Sequence, residues 1–176
     1  KMRDHDDTAT TDIRRKIIKE NVFLKNLYID SYNIFKTSTR GLSSKKRKLV
    51  ELGSGGGFIK KIMPEVITSD VIKVPGIDMF FSATKMPFEN ESIDRFFMLN
   101  VIHHIHDNRF FFKEVERCLK NEGKLVAIEP ANTFWGRFIY QNFHRAPNFF
   151  EISAGWVIRF KCPQKSENLC FITQII

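Results

Sequence analysis

Two carboxylates and a run of glycines carry the first chemical signal in this chain. Leu49-Val50-Glu51-Leu52-Gly53-Ser54-Gly55-Gly56-Gly57-Phe58 is a short apolar run that ends in an acid and then breaks into glycines spaced G-x-G-x-G. Such a segment suits the hand-over from a buried parallel strand to a helix around a nucleotide-like ligand. Glycine allows backbone angles that a side chain would forbid and lets the main chain approach the ligand closely. A dinucleotide fingerprint would carry a third small residue where Phe58 stands, so a bound pyrophosphate is not the favoured reading. Asp70 closes a second apolar run nineteen residues after Glu51. A carboxylate there can accept two adjacent hydroxyls, as on a ribose.

A second group of polar residues follows the apolar run Ile93–Leu99: Asn100-Val101-Ile102-His103-His104-Ile105-His106-Asp107. His103 and His104 are the candidate catalytic bases, with Glu129, Tyr140 and His144 behind them. His-His-x-His spacing without supporting carboxylates is not a metal signature, so no metal is expected. Cys118, Cys162 and Cys170 show no paired spacing and are expected as buried free thiols.

These residues need elements to position them. Apolar residues from Asp12 to about Thr37 recur at helical spacing and predict two amphipathic helices with a break near Asn21. A Ser-, Gly- and Lys-rich linker over 39–48 separates them from an alternation of strands and helices. The alternation predicts strands at 48–52, 65–69, 79–82, 93–99 and 124–129, with helices at 57–63 and 109–120. Asp107 is the expected cap of the later helix and Gly123 its expected terminator. A helix over 133–145 and strands at 156–160 and 169–175 complete the pattern. Near-continuous apolarity in Leu125-Val126-Ala127-Ile128 fits a strand buried on both faces. The fold class is therefore α/β, a three-layer sandwich with a mostly parallel, Rossmann-like sheet preceded by N-terminal helices, whose ligand belongs at the strands' carboxyl ends.

At 176 residues, with 43% hydrophobic and 27% charged, the chain has the size and composition of one globular domain with a real core. No apolar run approaches the roughly 18 residues of a membrane span, and a cytoplasmic location is expected. The net charge of +8 is concentrated in residues 1–50, with 13 Lys/Arg against 6 Asp/Glu. The run Lys45-Lys46-Arg47-Lys48 could meet phosphates or an acidic surface. Without interleaved aromatics, a solvated linker is the favoured reading, and nucleic acid remains an alternative partner through this segment.

In order and spacing the chain resembles the class I S-adenosylmethionine-dependent methyltransferases, specifically their type 11 small-molecule group. The resemblance covers roughly residues 46–131 and rests on the glycine segment, Asp70, Ser82-Ala83 with Met86-Pro87-Phe88, Glu91 to Val101, and Leu119 to Pro130. It implies Glu51, Gly53, Ser54, Gly55 and Gly57 around the methionine part of the cofactor, and Asp70 on the ribose hydroxyls. It also implies Ser82 and Ala83 beside the adenine, and Asn100 and Val101 next to the sulfonium. Many relatives have Asp where Ser82 stands, and the region after Asn148 is short for the group. The implied organisation is a helical cap and basic linker at 1–45 followed by a cofactor-binding core at 46–176. The expected reaction is methyl transfer from S-adenosylmethionine, with S-adenosylhomocysteine as product, to a small-molecule acceptor such as a saccharide or other polar metabolite at oxygen. The N-terminal helices and the segment around Trp135–His144 are expected to act as a lid.

Three alternatives stand against it. A nicotinamide oxidoreductase would want a small residue at Phe58. A non-catalytic methyltransferase-like scaffold would explain the short C-terminal region. An RNA methyltransferase would fit the basic N-terminus, but Asn100-Val101-Ile102-His103 lacks the aromatic tetrad that stacks a base.

Overall fold

The computed structural model describes residues 8–43, 47–130 and 169–174. Two helices, α1 (Thr8–Glu20) and α2 (Val22–Ser38), lead into strands β1 (Leu49–Leu52), β2 (Ile67–Asp70), β3 (Met79–Phe80) and β4 (Ile93–Leu99). Helix α3 (Asn108–Cys118) and strands β5 (Leu119–Pro130) and β6 (Leu169–Gln174) complete the described chain. The six strands form one sheet in the order β3-β2-β1-β4-β5-β6, and every pairing is parallel. The chain runs outward from β1 to β3, then returns to the other side of β1 as β4. That reversal puts the topological switch point between the carboxyl ends of β1 and β4, where ligands bind in open α/β sheets.

Alternation along the central strands explains the layering. Val50, Leu52, Phe96, Met98, Leu125 and Ala127 share one core with Phe111, Val115 and Cys118 of α3. Leu49, Phe97, Val126 and Ile128 point the other way, into a second core with Tyr32 and Phe35 of α2. Because side chains alternate with period two, a strand covered on both faces is apolar throughout. Glu51 breaks the rule: it shares the α2 face with Leu49 but is a carboxylate.

Phe97 stacks on Phe35 with ring centroids 4.8 Å apart, and both are fully buried. Phe97→Ala should therefore cost about 3–5 kcal/mol and loosen α2 from the sheet. Urea unfolding checks this; a loss below about 1 kcal/mol would mean that α2 is not part of the core.

Several expectations are met and others corrected. Asn21 caps α2, accepting from the Leu24 amide at 3.0 Å, and Asp107 caps α3, accepting from Phe110 at 3.1 Å. α1 starts at Thr8, earlier than the apolar periodicity indicates. The helix expected at 57–63 is only a 3-10 turn, Ile59–Lys61. Glycines precede it, and Pro64 disfavours helical angles at Met63 just ahead of it, leaving too few residues to propagate a helix. Gly123 does not close α3. The helix stops at Cys118, Leu119 is already extended, and Gly123 lies within β5. There a Cβ would stand 2.9 Å from the carbonyl oxygens of Ile93 and Lys120, so the glycine allows a close strand approach. The register between β4 and β5 shifts at this place, with Glu122 at φ 68°. The helix expected over 133–145, the strand expected at 156–160, and Tyr140, His144 and Cys162 lie outside the described residues.

Candidate active site

Parallel pairing gathers the loops that follow β1, β2, β3 and β4, and the carboxyl end of β5, at one edge of the sheet. The glycine loop after β1 turns on Gly53, whose φ of +71° favours glycine. A Cβ there would also collide with the Val101 methyls, at 2.6 Å from one of them. The loops after β1 and β4 thus touch, and Val101 stands against Gly53 at the switch point.

Asp70 ties the glycine loop to the end of β2. Its Oδ2 accepts from the Gly55 amide at 2.8 Å and its Oδ1 accepts from the Ile72 amide at 3.0 Å. Each carboxylate oxygen has a second lone pair, so both can still accept a ligand hydroxyl. Beyond Asp70, between Ile72 and Phe80, lies an open groove of about 510 Å³. The Ser54 amide donates to Ser69 at 2.9 Å, and the Ser69 hydroxyl donates to the Glu51 carbonyl at 2.8 Å.

Glu51 is buried, and its Oε2 has no hydrogen-bond partner. Burial pushes its pKa up to about 7; the Ser54 hydroxyl pulls it back and Asp70 adds to the rise. A buried acceptor without a partner is costly, which makes it informative about what the site is built to meet. A raised carboxyl pKa means that the folded chain binds the proton more tightly than the unfolded chain. The contribution of Glu51 to stability is therefore fully present below about pH 4.5 and is lost as pH rises through about 7, a change on the order of 3 kcal/mol. Glu51→Gln should abolish most of that slope and raise the melting temperature of the ligand-free protein at pH 8. Melting curves from pH 5 to 8 check this; equal slopes in both proteins would contradict it.

α1 and α2 roof this floor. A Cβ on Gly56 would meet the Arg15 amide at 3.2 Å and the Arg14 Cβ at 3.4 Å, and one on Gly57 would meet the Tyr32 hydroxyl at 2.3 Å. The Phe58 amide donates to the Tyr32 hydroxyl at 3.1 Å. Tyr28 stacks on Phe58 at 6.0 Å, and Tyr32 meets Phe58 edge-on at 5.3 Å. Burial and the Glu51 charge raise both tyrosine pKa values, so both phenols remain neutral. Periodicity alone reads Tyr28 and Tyr32 as core positions. Their polar tips on the inner face of α2 were the available sign of a second role.

The loop after β4 is held by Glu129, at the end of β5. Its Oε1 accepts from the amides of Val101 and Ile102, each at 2.8 Å, and its Oε2 meets His103 Nδ1 at 2.6 Å. His103 is buried, whereas His104 is exposed and packs ring against ring on His103 with centroids 4.2 Å apart. Asn100 adopts φ 57°, with its amide donating to Ile128 at 2.9 Å, and so turns the chain sharply at the end of β4.

Ser82 and Ala83 follow β3. The Ser82 hydroxyl is exposed and engages the Thr84 hydroxyl at 2.8 Å, while Ala83 packs against the α3-side core. The segment after them is clamped from α3. The Met86 amide donates to Glu114 at 2.8 Å, and Arg117 donates to the Phe88 carbonyl at 2.7 Å and the Met86 carbonyl at 3.1 Å. Arg117 in turn holds the Glu114 carboxyl below the usual carboxylate range.

Of the residues expected at the site, Glu51, Gly53, Ser54, Gly55, Gly57, Asp70, Asn100 and Val101 converge on the switch point. Ser82 and Ala83 lie at the same edge beyond β3, and His103 and His104 on the far side of the β4 loop.

A family of methyltransferase domains matches residues 78–127, from β3 through most of β5. No curated protein matches the sequence. Among solved structures, a candidate S-adenosyl-L-methionine-dependent methyltransferase of Methanococcus maripaludis superposes with a TM-score of 0.56 at 14% identity, over 81% of this chain and 75% of that one. A phosphoethanolamine N-methyltransferase of Haemonchus contortus, solved with phosphomonomethylethanolamine and S-adenosylhomocysteine, gives 0.55 at 17% identity, over 85% and 41%. YcgJ of Bacillus subtilis gives 0.51 at 19%, over 64% and 56%. The chain thus spans three quarters of the first of these and about half of the other two. It has the fold of the class I S-adenosylmethionine-dependent methyltransferases, and residues 78–127 carry the sequence pattern of their methyltransferase domain.

Proposed function

We propose that this domain transfers a methyl group from S-adenosylmethionine to an oxygen of a small polar acceptor, such as a saccharide, releasing S-adenosylhomocysteine. The observation that carries the cofactor reading is the buried, partnerless Oε2 of Glu51 beside the glycine loop. An amino-acid ammonium is the complement to such an acceptor, and Asp70 nearby suits a ribose diol. Gly53 keeps the β4 loop packed against the glycine loop, since a Cβ there would collide with the Val101 methyls.

When bound, the cofactor supplies a methyl carbon on a sulfonium, a leaving group good enough that alignment accounts for much of the rate. The chain's own contribution is to bind, orient and exclude water. Glu51 would hold the amino-acid end of the ligand and Asp70 its ribose, with Ser82 and Ala83 beside the adenine, and Asn100 and Val101 would frame the reacting centre. His103 and His104 take the proton that an acceptor hydroxyl must lose. Glu129 supports this assignment for His103, because a carboxylate on Nδ1 favours the tautomer with a basic Nε2.

α1 serves as the lid. α2 cannot, since Tyr32 and Phe35 are part of the core. Removing residues 1–20 should leave a folded protein whose cofactor affinity falls by about tenfold or more; unchanged affinity and turnover would end the lid assignment. The acceptor reading is tested by incubating the protein with radiolabelled S-adenosylmethionine and a panel of saccharides and polar hydroxyl or amine metabolites. Label entering hydroxyl acceptors supports it. Label entering only amines would move the reaction from oxygen to nitrogen.

A further inference from the structure

Four of the seven large apolar side chains that stand exposed among the described residues fall between positions 13 and 23: Ile13, Ile17, Val22 and Phe23. Their exposures are 43%, 49%, 71% and 65%, so neither N-terminal helix covers them. α1 packs inward through Thr11 and Ile18, which are buried, and this sets Ile13 and Ile17, one turn apart, on its outer side. The chain breaks at Asn21 and restarts as α2, whose first two residues are Val22 and Phe23. The four side chains thus gather at the corner between the helices.

The rest of α2 fixes where that corner lies. The Ser38 carbonyl at its end accepts from Arg95 at 3.2 Å, near the start of β4. Phe35 stacks on Phe97 further along, and Tyr28 stacks on Phe58 in the glycine loop. α2 therefore runs against the strands, and its first turn lies about 8 Å beyond Tyr28, past the carboxyl edge of the sheet. The corner stands at the mouth of the site.

Its charge narrows what can cover it. Lys16, Lys19 and Lys25 are all exposed, and residues 12–26 carry five Lys/Arg against two Asp/Glu. Lys16 approaches Glu20 at 4.0 Å with both side chains in solvent, a pairing too weak to cancel its charge. A second copy of this chain would set like charges together. So would residues 131–168, with five Lys/Arg against two Asp/Glu. Nucleic acid would match the lysines but leave aliphatic side chains against phosphate and sugar. A lipid surface offers anionic headgroups above an apolar layer, which matches both features. No described helix is long and apolar enough to cross a membrane.

We propose that the corner between α1 and α2 is a docking surface for an anionic phospholipid membrane. Ile13, Ile17, Val22 and Phe23 enter the headgroup layer while Lys16, Lys19 and Lys25 meet lipid phosphates, and the mouth of the site faces the surface.

Co-sedimentation of the full chain with vesicles tests this without any cofactor, so its outcome is separate from that of the cofactor reading. One set of vesicles is phosphatidylcholine alone; the other is phosphatidylcholine and phosphatidylglycerol in equal parts. The chain should prefer the anionic vesicles by at least about tenfold. Val22→Ser with Phe23→Ser should weaken that binding about tenfold. Lys16→Gln, Lys19→Gln and Lys25→Gln together should weaken it about a hundredfold, near fivefold for each charge. Phe110→Ser, which removes an exposed aromatic on α3, and Lys45→Gln with Lys46→Gln should leave it unchanged. Melting temperatures equal to the parent's show that each variant is folded. Absence of vesicle binding, equal binding to both vesicle types, or corner variants that bind like the parent would overturn the proposal. So would a chain that ignores vesicles but forms a dimer dissolved by Phe23→Ser, which would give the corner to a second copy.

Discussion

Asp70→Ala should abolish measurable cofactor binding while leaving the sheet intact. The carboxylate has two tasks, one within the protein and one toward the ligand. Within the protein it bridges the amides of Gly55 and Ile72, so its loss frees the glycine loop from β2 and costs on the order of 1–3 kcal/mol of stability. Toward the ligand it would lose a bidentate acceptor for a ribose diol, for a further weakening of about a hundredfold or more. Asp70→Asn separates the two tasks. One amide oxygen can keep an internal hydrogen bond, so stability should largely return, whereas the paired acceptor does not. Calorimetry and thermal unfolding on both variants check this. Native-like affinity in Asp70→Ala would remove Asp70 from the site.

Glu129→Ala should have the larger effect on the protein itself. One carboxylate holds two backbone amides and a buried histidine, and alanine leaves all three without it. The expected cost is on the order of 3 kcal/mol, because a buried donor left without its acceptor costs about 1–3 kcal/mol. The damage should also spread, because Val101 leans directly on Gly53 and carries any displacement of the β4 loop into the glycine loop. Glu129→Gln is the informative companion. Its oxygen can still accept from Val101 and Ile102, but its amide group presents hydrogens to His103 Nδ1 and forces the opposite tautomer. Stability within about 1 kcal/mol of the parent, with loss of transfer to hydroxyl acceptors, is the expected pair of results. Full turnover in Glu129→Gln would take His103 out of the reaction.

Much of this was legible in the sequence because the signals were local. Strand alternation, the cap at Asp107, the break at Asn21 and the acid-to-glycine transition after Glu51 each follow from a few neighbouring residues. The pattern also indicated that Asp70 ends its strand. What escaped was long-range. The helix expected after the glycine loop collapsed to a single turn between the glycines and Pro64. Gly123 looked like a helix terminator, yet it serves the close approach of β5 to β4, which no local pattern encodes. The positions of α1 and of Tyr28 and Tyr32 over the loop depend on how the N-terminal helices pack on the sheet. Helical spacing gave their existence but not their place. The pairing of Glu129 with His103 joins residues 26 apart and needed the parallel register of β4 and β5 to appear.

On the proposed reading, the glycine loop, Glu51 and Asp70 form a site for S-adenosylmethionine. Calorimetric titration of the folded protein with S-adenosylmethionine and S-adenosylhomocysteine tests it most directly. Binding of both at micromolar concentrations, strengthening as pH rises toward about 7 while Glu51 gives up its proton, is the predicted result. No heat from either ligand, in protein whose unfolding transition is cooperative, would contradict it and leave a methyltransferase fold without methyltransferase chemistry.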